Sequence, residues 1–541
     1  MKNIIKAFFF CVLAVSLSCT GDFEEINTNP NSPETAPSSA ILTWVQRATA
    51  EFFGDVWYNY NESSSMAGHI TKIAYIDEAR YAFRAGTVDN MFNNAYTRIR
   101  NINRILLNEE GEDGNPNMAA IALILKCYIY HITTDHLKDI PYTDAFKAEE
   151  GILAPKYDSQ ESIYRDLLEV LKTASNMIDE NPPAYNRITG ADFFYGGNMT
   201  RWKRLANSLR LRLAVRISYV DEAGARAVIS EILGNPSVYP LLESNDDIAR
   251  FKFPGDANYR EQLSASQLTR MDYVACANVV RVLSELNDPR LPVFVQKTEE
   301  GGIYSGYIAG AHSVGNQARV SKVGTFFSEN VAGYTYFFRY AEVEFLKAEI
   351  FERGLFAGNA EAAYNAGIRA SMAEYAALPA PHPSIAAALV DPYLALPKVA
   401  YTNAELPRLT FAGNDFYEEE IPAGDLINIR YIPDNIVLDE CANPTVKGNI
   451  KLQKIAYQKW ISLFQQGQEA WAEVRRTDIP VISAAPARPA TYVNHNRAPF
   501  RYPYSFLEES VNGDNVKAVS NGIVDFYWGQ QMWWDIRTGV R

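Results

Sequence analysis

Cys19 is the residue whose type and place most clearly call for chemistry. Lys2 and Lys6 form a short basic start, and residues 4–17 are apolar apart from Lys6 and Ser16. Ser18 and Cys19 follow, with the turn-like, acidic Thr20-Gly21-Asp22-Phe23-Glu24-Glu25 behind them. This is the pattern of a secretory signal peptide over 1–18, too short to remain as a membrane span. A thiol directly after a small residue is the acceptor that a bacterial lipoprotein signal presents, so Cys19 is read as acylated and as the mature N-terminus. Ser16 stands at −3, where a leucine is usual; ordinary cleavage near Ser18 with an incidental cysteine is the alternative.

Other reactive side chains form weaker constellations. Cys127 and His131 are four apart and could share a metal, but a metal site needs further ligands and none stands out. Cys127 lies in the run Ile-Ala-Leu-Ile-Leu-Lys-Cys-Tyr-Ile and reads as core. His131 and His136 are five apart, the wrong spacing for one helix face. Glu418, Glu419 and Glu420 with Asp425 carry the carboxylates that calcium takes, yet lack alternating ligand spacing and read as a solvated acidic loop. Arg201, Lys203, Arg204, Arg210, Arg212 and Arg216 form a basic helix, read as solvated or Glu-paired. No GxSxG, HExxH, P-loop or strand-to-helix GxGxxG occurs. With 64 acidic residues, any two could be nominated as a glycosidase pair, so that signal is empty.

Composition narrows the classes. Lys+Arg is 51 against Asp+Glu 64, a net charge of −13, which opposes nucleic acid or anionic lipid as a partner. Beyond Cys19, the cysteines are Cys127, Cys276 and Cys441, with no CxxC, so neither a zinc knuckle nor a disulfide framework is indicated. Residues 27–39 are rich in Asn, Pro, Ser and Thr and read as an extended leash.

The elements that must position any site read as helix pairs. Val343, Leu346 and Ile350 fall three and four apart, with Glu342, Lys347, Glu349 and Glu352 on other faces. Gly354 and Gly358-Asn359 punctuate, and a second helix over 360–375 carries Ala362, Ala366 and Ala370 in one row. The unit approaches the ~34-residue period of a tetratricopeptide repeat. Further helices are expected over 88–107, 118–136, 159–179, 200–219 and 451–474, with Trp533-Trp534 closing the core. Between them the chain is rich in Gly, Pro, Asn and aromatics, and such long irregular stretches are usually functional. The expected plan is a signal peptide over 1–18, a lipidated tether over 19–40 and a body over 41–541. Its helical scaffold lies mainly in 41–233, 271–295, 338–377 and 450–479. Its loop-rich segments are 54–86, 234–270, 297–335, 380–449 and 480–527.

At this point the chain resembles the SusD/RagB family of surface lipoproteins. Besides the signal with Cys19, the similar stretches include Asp-Phe-Glu-Glu-Ile-Asn-Thr-Asn-Pro-Asn at 22–31 and Asp-Ile-Pro-Tyr-Thr-Asp-Ala-Phe at 139–146. Tyr195-Gly196-Gly197 leads into Arg-Trp-Lys-Arg-Leu-Ala-Asn-Ser-Leu-Arg-Leu-Arg-Leu-Ala at 201–214. Residues 340–349, 364–372, 468–477, Arg501-Tyr502-Pro503-Tyr504 and Trp533-Trp534-Asp535 complete the set. The resemblance implies a mostly α fold in which tetratricopeptide-like helix pairs carry long aromatic-rich loops forming a ligand face. It implies an outward-facing outer-membrane lipoprotein, held to the membrane by its lipid alone. The partner implied is a SusC-type TonB-dependent barrel transporter, to which the lipoprotein delivers captured nutrient. It implies a glycan ligand, in some members a peptide, and no enzyme activity; a surface glycoside hydrolase or a structural surface protein are the other readings. No cofactor is expected, structural calcium being the one candidate.

The residue types fit capture. Sugar rings present apolar C–H faces to Trp and Tyr, while Asn and Arg satisfy hydroxyls. The expected lining is Trp57, Tyr58, Tyr60, Tyr75, Tyr81, Tyr259, Tyr304 and Tyr307, with Asn61, Arg80 and Arg260 as polar partners.

Overall fold

A computed structural model describes residues 36–310, 317–404, 441–482, 497–520 and 529–540. The signal peptide, Cys19, most of the tether, the 418–425 carboxylates and parts of segments 380–449 and 480–527 lie outside the described residues. The architecture is mostly helical. Helix α1 (Ser38–Phe53) begins after the extended Pro37 and stops at Gly54. A side chain at Gly54 would meet Thr335 Oγ1 at 2.5 Å, so a strand crosses tightly there. Helices α2 (Ala85–Asn108), α3 (Pro116–Leu137), α4 (Gln160–Met177), α5 (Met199–Ile217) and α6 (Glu222–Gly234) follow, each packed on the next.

Local chemistry starts these helices. The Asn115 carboxamide accepts from Asn117 N and Met118 N, with Pro116 at the first helical position of α3. Asn198 caps α5 through Arg201 N, and Asp221 caps α6 through Gly224 N. Along α2 the buried Val88, Met91, Ala95, Ile99, Ile102 and Ile105 recur at helical spacing, whereas α3 is buried on nearly every side. Trp534 is fully buried and its Nε1 donates to Asp135 in α3, closing the core as its type predicts.

After the short α7 (Ala277–Glu285) comes a second group, α8 (Tyr340–Glu352), α9 (Ala360–Ala373), α10 (Ile450–Ser462) and α11 (Gly467–Thr477). Helices α8 and α9 form the hairpin read from sequence, but the small face is shifted by one residue. Ala363 and Gly367 are buried, and of the expected row Ala370 is buried, Ala366 half-buried and Ala362 exposed. A Cβ on Gly367 would lie 2.7 Å from the Phe345 ring of α8. The single helix expected over 451–474 is two, because Gln465 takes a left-handed φ of 74° between α10 and α11.

The larger surprise is charge inside the scaffold. Helix α8 is not amphipathic; Glu342, Glu344 and Glu349 are buried with its apolar residues. The basic face of α5 is also interior, with Arg210, Arg212 and Arg216 each 1% exposed. Arg212 clasps Glu342 through Nε at 2.7 Å and Nη2 at 2.6 Å. Arg216 meets Glu469 of α11 at 2.5 Å, and Arg476 holds Glu349 through two contacts of 2.6 Å. The Arg212–Glu342 and Arg476–Glu349 pairs are bidentate, the geometry in which buried opposite charges best offset each other's desolvation. The basic run is Glu-paired rather than solvated, and it ties α5 to α8 and α11.

Short strands organise the loops. Strand β1 (Ile70–Lys72) pairs antiparallel with β5 (Tyr273–Ala275), β2 (Ile140–Pro141) with β3 (Tyr157–Asp158), and β4 (Ala249–Lys252) with β6 (Tyr334–Phe338).

Candidate functional site

Three sequence-distant loops meet at β1 and β5. In register, Lys72 faces Tyr273 and Ile70 faces Ala275. The 303–323 segment joins the same edge: Tyr307 N donates to Ala275 O at 2.9 Å, and Val274 bridges Lys322. Arg80 Nε donates to Gly310 O at 2.6 Å, fastening the 54–86 loop to the third segment.

The 54–86 loop is itself anchored by a π-helix, Val56–Ser63, a rare form found mostly at functional sites. Asp55 Oδ1 accepts from Trp57 N and Tyr58 N, both at 2.9 Å, which starts that helix. The Asn59 side chain grips the α10–α11 break, donating to Gln465 O and accepting from Gly467 N. His136 of α3 adds a second brace, its Nε2 lying 3.2 Å from Ser63 Oγ. Burial lowers the His136 pKa to about 3, with Arg475 adding to the effect, so the ring is a neutral structural brace.

Across the loop face rings and cations interleave, with Lys72 beneath them at 2% exposure. Lys72 Nζ lies 4.1 Å from the Trp57 ring centroid, 5.5 Å from Tyr273 and 5.7 Å from Tyr75. The Arg84 guanidinium is 4.8 Å from the Trp57 ring, and that of Arg270 is 4.6 Å from Tyr75. Tyr75 is 57% exposed and holds a left-handed φ of 54°, an unusual conformation for a bulky residue. Trp57 is half-buried beside it.

The sequence-predicted lining therefore divides. Trp57 and Tyr75 share this surface. Tyr304 is half-buried with Lys297 Nζ 5.8 Å from its ring, on the segment that joins β5. Tyr259 is exposed but sits elsewhere, against Arg47 of α1 at 5.4 Å, with the half-buried Arg260 next to it. Tyr58, Tyr60, Asn61, Tyr81 and Tyr307 are 4% exposed or less, and the expectation of a ligand-facing role is corrected for them. The rings of Tyr58, Tyr60 and Tyr81 belong to the core under the loops: Tyr58 stacks on Phe52 at 4.9 Å, and Tyr60 donates to Glu261 at 3.3 Å. Arg80 is a loop tether rather than an open ligand donor.

Sequence reasoning missed Lys72, Arg84, Arg270 and Tyr273. Only strand pairing brings 72 to 273, and no local spacing announces it. The metal readings gain nothing: among the described residues no group of three or more His, Cys, Asp or Glu could hold an ion. Cys127 is buried, which pushes its thiol pKa well up, and His131 lies beside Glu469 in the ionic core.

Comparison with known proteins fixes the class. A SusD-like family profile described as "starch-binding associating with outer membrane" matches residues 30–505. The chain belongs to this SusD-like family. No curated protein matches it. Among solved structures, a SusD-like protein from Bacteroides thetaiotaomicron superposes with a TM-score of 0.72 at 21% identity, covering 93% of this chain and 100% of that one. A chitin-binding SusD homologue from Flavobacterium johnsoniae gives 0.71 at 22% identity, over 92% and 98% of the two chains. A SusD homologue from Bacteroides uniformis gives 0.70 at 23% identity, with the same 92% and 98%. At these identities the likeness is one of fold. Among the described residues no helix is long and apolar enough to cross a membrane.

Proposed function

We propose that this protein is a surface lipoprotein that captures a glycan at the Trp57–Tyr75 loop face and passes it to a SusC-type barrel transporter. The observation that carries the reading is the display of Tyr75 at a left-handed φ beside the half-buried Trp57, on a loop braced to α3 and α11. Exposed aromatics on a rigid support suit the apolar faces of sugar rings, and a pre-positioned loop loses little entropy on binding. The family description and the chitin-binding homologue support a glycan over a peptide. Acylation at Cys19 would hold the body at the outer membrane, in keeping with the family's association with that membrane.

The mechanism is equilibrium capture, with stacking and hydrogen bonds replacing the sugar's hydration and no bond broken. Transfer follows when the barrel competes for the same polymer. The test is calorimetry of the Cys19→Ser protein against glycans and peptides, beside a Trp57→Ala/Tyr75→Ala double variant. Glycan binding without product, weakened at least tenfold in the double variant at unchanged Tm, is expected. Binding that the double variant leaves intact would move the site to Tyr259 or Tyr304. Released sugar would instead make the protein a hydrolase.

A further inference from the structure

The first group of helices has two distinct ends. Helix α1 runs into the loop face and α2 runs out of it, starting at Ala85 directly after Arg84. The 24 residues of α2 carry the chain about 36 Å away from that face. The far end is where the chain enters the body: Asn108 Nδ2, at the end of α2, donates to Ala36 O at 3.1 Å. The α2–α3 turn lies there, closed by Glu109, which accepts from Asn115 N at 2.8 Å. The 178–198 connection from α4 to α5 lies there too. Asn115 Nδ2 donates to Asn186 O at 3.0 Å, Asn117 Nδ2 to Asp179 O at 2.9 Å and Thr43 Oγ1 to Ala191 O at 3.2 Å.

This end carries apolar side chains that the described residues leave uncovered. Tyr185 is the most exposed large apolar side chain among them, at 85%, and Leu107 and Phe193 are 57% and 51% exposed. Two of the three are rings on fixed backbone. Tyr185 sits in a short 3-10 turn, Ala184–Asn186, behind Pro182 and Pro183. Phe193 N donates to Gln46 Oε1 of α1 at 2.7 Å. Exposed apolar surface gathered at one place marks a contact, and aromatic rings are favoured where apolar and aqueous phases meet. The α2–α3 turn carries Glu109, Glu110, Glu112 and Asp113, so the contact is apolar rather than a pairing with anionic headgroups.

What covers this surface follows from the chain that precedes it. Sixteen residues, 20–35, separate Ala36 from Cys19, a span of at most about 60 Å. An acylated Cys19 therefore ties this end of the body, not the loop face, to the bilayer. A contact made across so short a link is intramolecular, so a weak affinity suffices, and it supplies a second membrane signal beside the lipid.

We propose that the surface around Leu107, Tyr185 and Phe193 rests on the lipid–water interface, with the loop face held at the other end of α2, turned away from the membrane. This rests on the Cys19 anchor of the reading above and adds to it a contact surface and an orientation.

The test uses the chain from residue 19 with Cys19→Ser, which reads the surface without the anchor, and neutral phosphatidylcholine vesicles. An environment-sensitive dye is attached at Tyr185→Cys or, as the control, at Leu268→Cys, 58% exposed and two residues from Arg270 of the loop face. The native thiols Cys127, Cys276 and Cys441 are buried. At millimolar lipid the dye at 185 is expected to brighten and shift to the blue, the dye at 268 to stay unchanged, and added salt to make no difference. The exposed pair Tyr185→Ser/Phe193→Ser should weaken co-sedimentation with vesicles about tenfold at unchanged Tm. Absence of vesicle binding, an equal response at both dye positions, or binding indifferent to the double variant would overturn the resting surface. A concentration-dependent dimer that the double variant abolishes, in a chain that ignores vesicles, would give the surface to a second copy instead. The anchor is read separately, from the mass of the protein extracted from its own membrane. An unacylated Cys19 beside intact vesicle binding would overturn the anchor and leave the lipid contact standing.

Discussion

Two buried glutamates show how differently the scaffold and the loop layer treat charge. Glu349, in α8, is desolvated, yet Arg476, Arg353 and Lys459 overcome that penalty and hold its pKa down at about 2. Glu261, at the base of the loops, is equally buried and is pushed up to about 7. Its partners are the backbone N–H groups of Leu263 and Ser264 and the Tyr60 hydroxyl, which lower the pKa less than burial raises it. The scaffold sets arginines against Glu342, Glu349 and Glu469, with Arg475 resting on backbone carbonyls instead; among the described residues, the loop layer leaves Glu261 with no cation beside it and Lys72 without an ion pair. Unmatched charge is poor for stability, and it gathers where a protein meets ligands.

The sharpest way to break the contrast is at Arg476. Arg476→Met leaves Glu349 and Glu473 facing each other in the interior, and should remove about 3–5 kcal/mol of stability in urea unfolding. A loss under ~1 kcal/mol would mean that the network is ornamental. The sign of the pH effect follows from the lowered pKa. Glu349 stabilises above its ordinary 4.5, and its contribution drains away as pH falls from there toward 2.

Glu261 carries the opposite sign. Its folded pKa lies above the ordinary 4.5, so the folded state keeps a proton that the unfolded state gives up. Its contribution is full below pH 4.5 and is lost as pH rises through 7, by about 3 kcal/mol on the linkage relation. Glu261→Gln keeps an acceptor for the helix cap but cannot ionise. Its stability should therefore exceed that of wild type increasingly between pH 4.5 and 7, as read by Tm across that range. Parallel Tm curves for the two proteins would show that Glu261 is not protonated in the fold.

The same contrast explains what the sequence could and could not reveal. The α8–α9 hairpin was legible because Val343, Leu346 and Ile350, then glycines, then small residues, are local signals. The burial of Glu342 and Glu349 was not, because Arg212 and Arg476, which make it tolerable, lie 130 and 127 residues away. At the candidate site, Trp57 and Tyr75 stood out by type and neighbourhood. Tyr58 and Tyr60 stood out equally, and the π-helix turned both inward. Lys72 carried no signal at all until β5 was laid beside it.

Gly467 is where the two regions are joined, and it offers the smallest and most discriminating test. A Cβ there would lie 2.5 Å from both Asn59 Oδ1 and Ser64 Oγ and 2.6 Å from Ser64 N, so the π-helix can lie against α11 only if residue 467 has no side chain. Because Ser64 N is backbone, the strain cannot be relieved by rotating one side chain. Gly467→Ala should cost about 1–3 kcal/mol, as overpacking does. It should also displace the Asn59 clamp, which accepts from Gly467 N and donates to Gln465 O. If the ionic scaffold positions the loop face through this clamp, glycan affinity falls severalfold while the protein remains folded. Unchanged affinity beside a lowered Tm would mean that the face is held by β1, β5 and the Arg80 tether alone, and that scaffold and site are mechanically separate.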